Sequence, residues 1–250
     1  MINKVVIEYI QFIFIFLNPI GLFFIVLAII RSIKKCKEYK QSSYYQSTHL
    51  PFSYVKNNKG RFGEYTVYGI LKKYEADGAK LLFNLYIPNL NGGTSEIDVL
   101  MISKQGIFVI ESKNFNGWIF GNEKQRNWCQ TLPVKFGESF KSFFYNPILQ
   151  NRSHIKCLKS LIGEQIPMKS IIVFGDNCVF KELKITDNDY YITNYSHLSM
   201  LVSYLYLKSS EKCLNDRELS QIYNKLYSYC NVNNEIKNQH ISDVQEYINR

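Results

Sequence analysis

Apolar and polar positions fall into distinct rhythms along the chain, and each rhythm predicts a different kind of element. The first is a nearly unbroken apolar run from Tyr9 to Ile30, YIQFIFIFLNPIGLFFIVLAII. At about 1.5 Å of rise per residue, such a run as a helix covers a hydrocarbon core of roughly 30 Å. Asn18-Pro19 and Gly21 interrupt it, which spanning helices tolerate better than soluble ones. The run is too long for a signal-peptide core, and no small-x-small cleavage site follows it. A polar, Ser/Tyr/Asn-rich stretch, 41–59, then reads as a tether.

A helical rhythm begins after Gly60. In Phe62 to Glu75, the residues Glu64, Val67, Tyr68 and Leu71 fall at i, i+3, i+4 and i+7, the spacing of one buried face. Glu64 then stands in the first turn, where a carboxylate suits the helix dipole. Lys80 to Ile87 (KLLFNLYI) follows as a strand and Pro88 to Gly93 as a loop.

The stretch Ser95 to Asn114, SEIDVLMISKQGIFVIESKN, reads as two strands joined by a tight turn at Lys104-Gln105-Gly106. Alternation puts Glu96, Asp98, Leu100 and Ile102 on one face of the first strand. Ile107, Val109, Glu111 and Lys113 share one face of the second. Trp118 to Trp128 predicts a hairpin turning near Gly121-Asn122. Pro133 to Tyr145 is Phe-rich and reads as irregular. Asn146-Pro147 opens a helix to about Ile162, with Asn at the cap and Pro in the first turn. Ser170 to Gly175 predicts a central strand, Asp189 to Thr193 an edge strand, and 196–207 and 216–230 helices. The tail 231–250 is polar and carries no assigned task.

Composition adjusts this picture in three ways. An aromatic content of 15% in 250 residues argues for a packed core rather than disorder. A formal charge of +9 suits an anionic partner, either nucleic acid or lipid. The cluster Arg31, Lys34, Lys35, Lys37 and Lys40 follows the apolar run directly, so it is read as an orientation signal and lipid contact. The expected location is therefore the cell membrane, single-pass, with the amino terminus outside and the bulk of the chain cytoplasmic. The six cysteines show no C-x-x-C spacing, against both a zinc-site pattern and a disulfide framework.

The chemistry is carried by charges in line with core residues, since unpaired buried charge costs several kcal/mol. Asp98 and Glu111 on neighbouring strands are a candidate pair of oxygen ligands for a hard divalent cation. Lys113, on the face of Glu111, can orient an attacking water or offset charge on a phosphodiester in transit. Glu96 is either a further ligand or a solvated edge charge. Trp118 and Trp128 serve either core packing or base stacking. Lys124, Arg126 and His154 are candidate phosphate contacts.

Gly63-Glu64, Phe83-Asn84-Leu85, Glu96-Ile97-Asp98-Val99-Leu100 and Gly106-Ile107-Phe108-Val109-Ile110-Glu111-Ser112-Lys113-Asn114 together resemble the nuclease-related domain (NERD) family. The likeness runs on through Gly117-Trp118-Ile119-Phe120-Gly121, Trp128, Asn146-Pro147 and Gln150-Asn151. It implies an α/β, restriction-endonuclease-like PD-(D/E)xK fold: a mixed sheet flanked by helices, here preceded by one transmembrane helix. It also implies a nuclease dependent on Mg²⁺ or Mn²⁺ acting on nucleic acid, DNA before RNA, with Glu64, Asp98, Glu111, Lys113 and Gln150 as site residues. Asp98 and Glu111, with Glu64 nearby, would hold the metal, Gln150 would place water or a phosphate oxygen, and relatives of the fold act as dimers. The domain organisation expected is an anchor and basic segment at 1–40, a linker at 41–59, the nuclease-like domain at 60–175, covering elements at 176–230 and a tail at 231–250. The rival expectation is a membrane-tethered binding or scaffold module whose chemistry is idle.

Overall fold

A computed structural model of the chain describes Lys4, Glu8 and residues 19–90, 92–133, 137, 139–186, 189–209 and 213–249. The chain divides into two units, Met1–Gln46 and Ser47–Arg250. In the first unit, residues 9–18 of the expected anchor lie outside the described residues. The rest of that run forms helix α1, Pro19–Gln41, which carries Ile20, Leu22, Phe23, Phe24, Ile29, Ile30 and Ile33 exposed. Among the described residues, no helix is long and apolar enough to cross a membrane.

The expected tether is not extended. Short helices α2 (Ser43–Thr48) and α3 (Phe52–Asn57) occupy it, closed by Pro51 and Asn58 in extended conformations. Helix α4, Lys59–Leu71, starts earlier than the periodicity predicts, because the Asn58 side chain accepts a hydrogen bond from Arg61 N. Glu64 therefore lies beyond the first turn, and the helix-dipole account of it fails. A 3₁₀ turn, Lys72–Asp77, ends on Gly78 at φ 88°, where glycine avoids the Cβ clash of left-handed backbone.

Two sheets form where one was expected. Strands β1 (Lys80–Pro88), β2 (Thr94–Ser103) and β3 (Gly106–Lys113) run antiparallel in sequence order. β7 (Met168–Phe174) and β9 (Tyr190–Asn194) extend this sheet parallel to β3, giving the order β1-β2-β3-β7-β9. The second sheet contains β4 (Gly117–Asn122), β5 (Asn127–Pro133), β6 (Ser139–Tyr145) and β8 (Cys178–Lys184), in the order β6-β5-β4-β8. The stretch read as irregular supplies β6, and β8 was not anticipated. Both carry exposed polar or aromatic residues that blur the alternation a half-buried strand shows.

Helices α5 (Pro147–Ile162), α6 (Tyr195–Lys208) and α7 (Asp216–Tyr227) cover the five-stranded sheet. The polar tail forms a further helix, α8, Asn234–Asn249. One core packs Leu82, Leu100, Ile102, Ile107 and Val109 against Leu158 of α5 and Leu219, Ile222 and Leu226 of α7. A second joins the sheets through Ile119, Trp128, Ile148, Ile172 and Phe174. Trp128 is fully buried, its ring parallel to that of Phe174 at 6.4 Å, and Gly121 lies beneath it because an added Cβ would strike the indole. Core packing is thus the role of Trp128, and the hairpin turns at 123–126, directly beside Gly121-Asn122 as the spacing predicts.

Candidate active site

The site gathers where β2 begins, β3 ends and α4 and α5 start. Strict alternation breaks there. Leu82 and Leu85, three residues apart, join the same core cluster, as do Ile97 and Leu100. Between Leu82 and Leu85 stands Asn84, at φ 55° and within the strand, a left-handed conformation that non-glycine residues adopt at a cost of order 1 kcal/mol. The turn of backbone lets Asn84 Nδ2 donate to Glu64 Oε2 at 3.0 Å. Asn84 Oδ1 is buried without a hydrogen-bond partner.

β2 and β3 pair in the register Val99↔Ile110, which brings Asp98 beside Glu111. Asp98 Oδ2 accepts from Ser112 N at 2.8 Å. Its carboxyl is pushed well above the ordinary carboxylate range, first by burial and then by the neighbouring charges of Glu111 and Glu64. Glu111 is 1% exposed. Burial pushes Glu111 upward too, but Lys113 and His154 overcome it and hold its carboxyl below the ordinary value. Lys113 Nζ sits 2.6 Å from Glu111 Oε1 and donates to Gln150 Oε1 at 3.1 Å. Burial would lower Lys113, yet Glu111 and Asp98 raise it, so it is an ammonium.

His154 is buried on α5, and its Nε2 approaches Glu111 Oε2 at 3.3 Å without a hydrogen bond forming between them. Its Nδ1 is 2.7 Å from Ser95 Oγ. A phosphate-contacting role for His154 is therefore corrected: the ring faces the carboxylate inside. Asn151, on the same helix, donates from Nδ2 to Val109 O and Ser170 Oγ, which pins α5 across β3 and β7. That fixes the turn carrying Gln150.

A second set of contacts organises Glu64. Arg61 Nη1 is 2.9 Å from Glu64 Oε1, and Nη2 is 3.0 Å from Glu96 Oε1. Tyr86 OH also donates to Glu96 Oε1 at 2.8 Å. Glu96 thus belongs to a polar bridge at the rim rather than standing alone in water. Glu64 is raised to about 7, by burial first and against the pull of Arg61. Arg61 and Tyr86 were not singled out from the sequence, and Asn84 stood only within the motif Phe83-Asn84-Leu85, without a role. Arg61 precedes Glu64 by three residues on a helix, a spacing that offered a signal.

The structure thus brings Asp98, Glu111, Lys113 and Gln150 into one cluster. Glu64 adjoins it through its charge on Asp98, yet both its oxygens are engaged by Arg61 and Asn84. Among the described residues, no group of three or more His, Cys, Asp or Glu side chains is disposed to hold a metal ion. Two observations nonetheless fit a hard cation between Asp98 and Glu111: the buried Glu111 Oε2, which faces His154 at 3.3 Å without a hydrogen bond, and the crowding of carboxylates that raises Asp98. Lys124 and Arg126 are exposed in the turn between β4 and β5.

Comparison with known proteins bears on these residues. The model of the nuclease-related domain, NERD, matches residues 59–175. A Bacillus anthracis protein described as uncharacterized is 31% identical over 188 residues, covering 75% of this chain and 84% of that protein. No solved structure matches the chain. The matched segment begins with α4 and ends just after β7, so it spans every side chain of the cluster, and the chain belongs to the nuclease-related domain family.

Proposed function

We propose that this chain is a metal-dependent nuclease that hydrolyses phosphodiester bonds of nucleic acid, DNA before RNA, at the Asp98–Glu111–Lys113 cluster. The observation that carries the reading is the pairing of Asp98 and Glu111 on adjacent strands, with the Lys113 ammonium 2.6 Å from Glu111 and bonded to Gln150. Asp98 and Glu111 would hold Mg²⁺ or Mn²⁺, with Glu64 behind them. When bound, the ion supplies Lewis acidity toward a phosphoryl oxygen.

The chain's own residues account for the rest. Lys113 brings a positive charge to the place where negative charge grows on the phosphate, and in a water-poor site that charge acts strongly. Gln150 keeps the ammonium aimed and offers its amide to a water or a phosphate oxygen. His154, held by Ser95 at Nδ1, stands behind Glu111 with its Nε2 3.3 Å from Oε2. Arg61 holds Glu64 and Glu96 in place. The run 9–30 is proposed to hold the protein at the cell membrane with the nuclease-like domain in the cytoplasm, a reading supported by the exposed apolar side chains of α1.

The deciding experiment offers supercoiled plasmid, linear duplex, branched DNA and single-stranded RNA to the full chain with Mg²⁺ or Mn²⁺. Glu111→Ala should lose both cutting and calorimetric metal binding, while Lys113→Ala should lose cutting and still bind metal. A second reading, an idle module on the nuclease fold, is favoured by the Lys113 ammonium already resting on Glu111 Oε1. It predicts metal binding without cleavage of any of the four substrates. Retention in the membrane pellet after alkaline carbonate washing tests the anchor, and release into the supernatant would refute it.

A further inference from the structure

The four-stranded sheet has two unlike faces. Ile119 of β4 and Trp128 of β5 point into the core between the sheets. Their neighbours along each strand therefore point the other way. On that outer face, Trp118 stands opposite Thr131, and Thr131 opposite Lys141; in the adjacent row Phe120 stands opposite Cys129, and Cys129 opposite Phe143. Val179 and Glu182 of β8 continue the two rows beside Trp118 and Phe120. Trp118 is 37% exposed and Phe143 is 71% exposed, which is unusual for rings of this size on a sheet.

The charges around these rings are unbalanced. Lys181 Nζ lies over the Trp118 ring, 5.2 Å from its centre. Lys141 sits in the Trp118 row, and Lys184 borders the other row. The one carboxylate in the rows, Glu182, is paired with Lys184 at 2.9 Å. The turn that ends this sheet carries exposed Lys124. Asn146 at the start of α5 binds that turn, its Nδ2 donating to the carbonyls of Asn122, Glu123 and Gln125. The sheet is therefore fixed to the helix that carries Gln150.

We infer that the outer face of the β6-β5-β4-β8 sheet is a binding platform for single-stranded nucleic acid, whose unpaired bases stack on Trp118 and Phe143 while Lys141 and Lys181 face its phosphates. Exposed rings interleaved with cations complement a polyanion that also presents flat apolar faces. A duplex hides those faces, whereas a single strand offers every one. The inference rests on the nuclease reading for its ligand class, but it concerns binding and not cutting.

The test is titration of the full chain, in mild detergent and with chelator present, by a thymidine 20-mer followed by tryptophan fluorescence. Of the two tryptophans, Trp128 is fully buried, so a change on binding reports Trp118. Quenching is expected, and Trp118→Ala should abolish it and weaken binding, measured by anisotropy of a labelled strand, roughly 5- to 100-fold. Phe143→Ala should weaken binding over the same range; its ring is exposed, so the fold is expected to persist, and near-ultraviolet dichroism from Trp128 checks this. Unchanged affinity in both variants would overturn the inference, as would equal affinity for a duplex of the same length. Conversion of a dimer to a monomer by Trp118→Ala in sedimentation would overturn it too, by assigning the face to a second copy. Binding that survives Glu111→Gln without any cleavage by the parent would uphold the platform while the nuclease reading falls.

Discussion

Arg61→Met exposes how far the second carboxylate set depends on one guanidinium. Arg61 bridges Glu64 at 2.9 Å and Glu96 at 3.0 Å. Glu64 is 4% exposed, so its half of the bridge is a buried, charge-assisted contact worth about 2 kcal/mol. The Glu96 half is weaker, about 0.5–1 kcal/mol, because that side chain is 21% exposed and solvent screens it. Burial, and then the Glu96 charge, lift Glu64 to about 7 from an ordinary 4.5, while Arg61 and Asn84 pull it down. A carboxyl raised in this way favours the folded state fully below its ordinary value, and that contribution is lost as pH rises through about 7. At pH 5, Glu64 is largely protonated already, so losing Arg61 should cost only the Glu96 contact, about 1 kcal/mol. At pH 8 the ionised pair is broken, and the cost should reach about 2–3 kcal/mol. Urea denaturation with chelator present, at both pH values, measures this. In Arg61→Met/Glu64→Gln the excess at pH 8 should disappear, giving a coupling of about 1–2 kcal/mol. An equal deficit at the two pH values, or strictly additive variants, would refute the bridge as the support of Glu64.

Other predictions concern packing and the metal. Trp128→Ala should cost about 3–5 kcal/mol by thermal melting. Gly121→Ala should also destabilise, since its methyl meets the Trp128 ring; a neutral Gly121→Ala would contradict that packing. Asn146→Ala loses a cap on Ile148 N and three carbonyl contacts of the β4–β5 turn, for about 2 kcal/mol. Tryptic cleavage at Lys124 or Arg126 should quicken in that variant, and an unchanged digestion rate would count against the clamp. Mg²⁺ should raise the melting temperature of chelator-treated protein more at pH 8 than at pH 6. Burial and the charges of Glu111 and Glu64 raise the Asp98 carboxyl, so losing its proton favours binding as pH rises. An effect that falls with pH, or that persists in Glu111→Gln, would remove the metal from this pair.

Much of the site was legible in the chain because strand periodicity is local. An alternation of two places Glu111 and Lys113 on one face wherever the strand ends up, and a tight turn at Gly106 makes β2 and β3 neighbours. Asp98 beside Glu111, and the Asn146-Pro147 start of α5 that carries Gln150, follow from such short-range rules. The outer elements of the sheet read as expected for the same reason. The stretches that misled are those whose partners are distant. β6 and β8 become strands because β5 and β4 offer them hydrogen bonds, and their own residues do not alternate cleanly. The stretch 41–59 carries the short helices α2 and α3, and the polar tail forms α8, neither of which its own pattern predicts.

The local rules also could not reveal which charges neutralise which. Arg61 meets Glu96 across thirty-five positions of sequence, and His154 meets Ser95 across fifty-nine. Such contacts depend on how α4 and α5 lie against the sheet, which buried volume and the whole set of packed faces determine together. Nor could an aromatic's periodicity distinguish Trp118 from Trp128. Both end a hairpin strand, and only the stacking of one sheet on another buried the second and left the first in water. The sequence by itself thus determined the chemistry available and its grouping along each strand, because those are set by neighbours within a few residues. The tertiary structure decided the protonation, the partners and the exposure of those groups, because each depends on what the fold brings up from far along the chain.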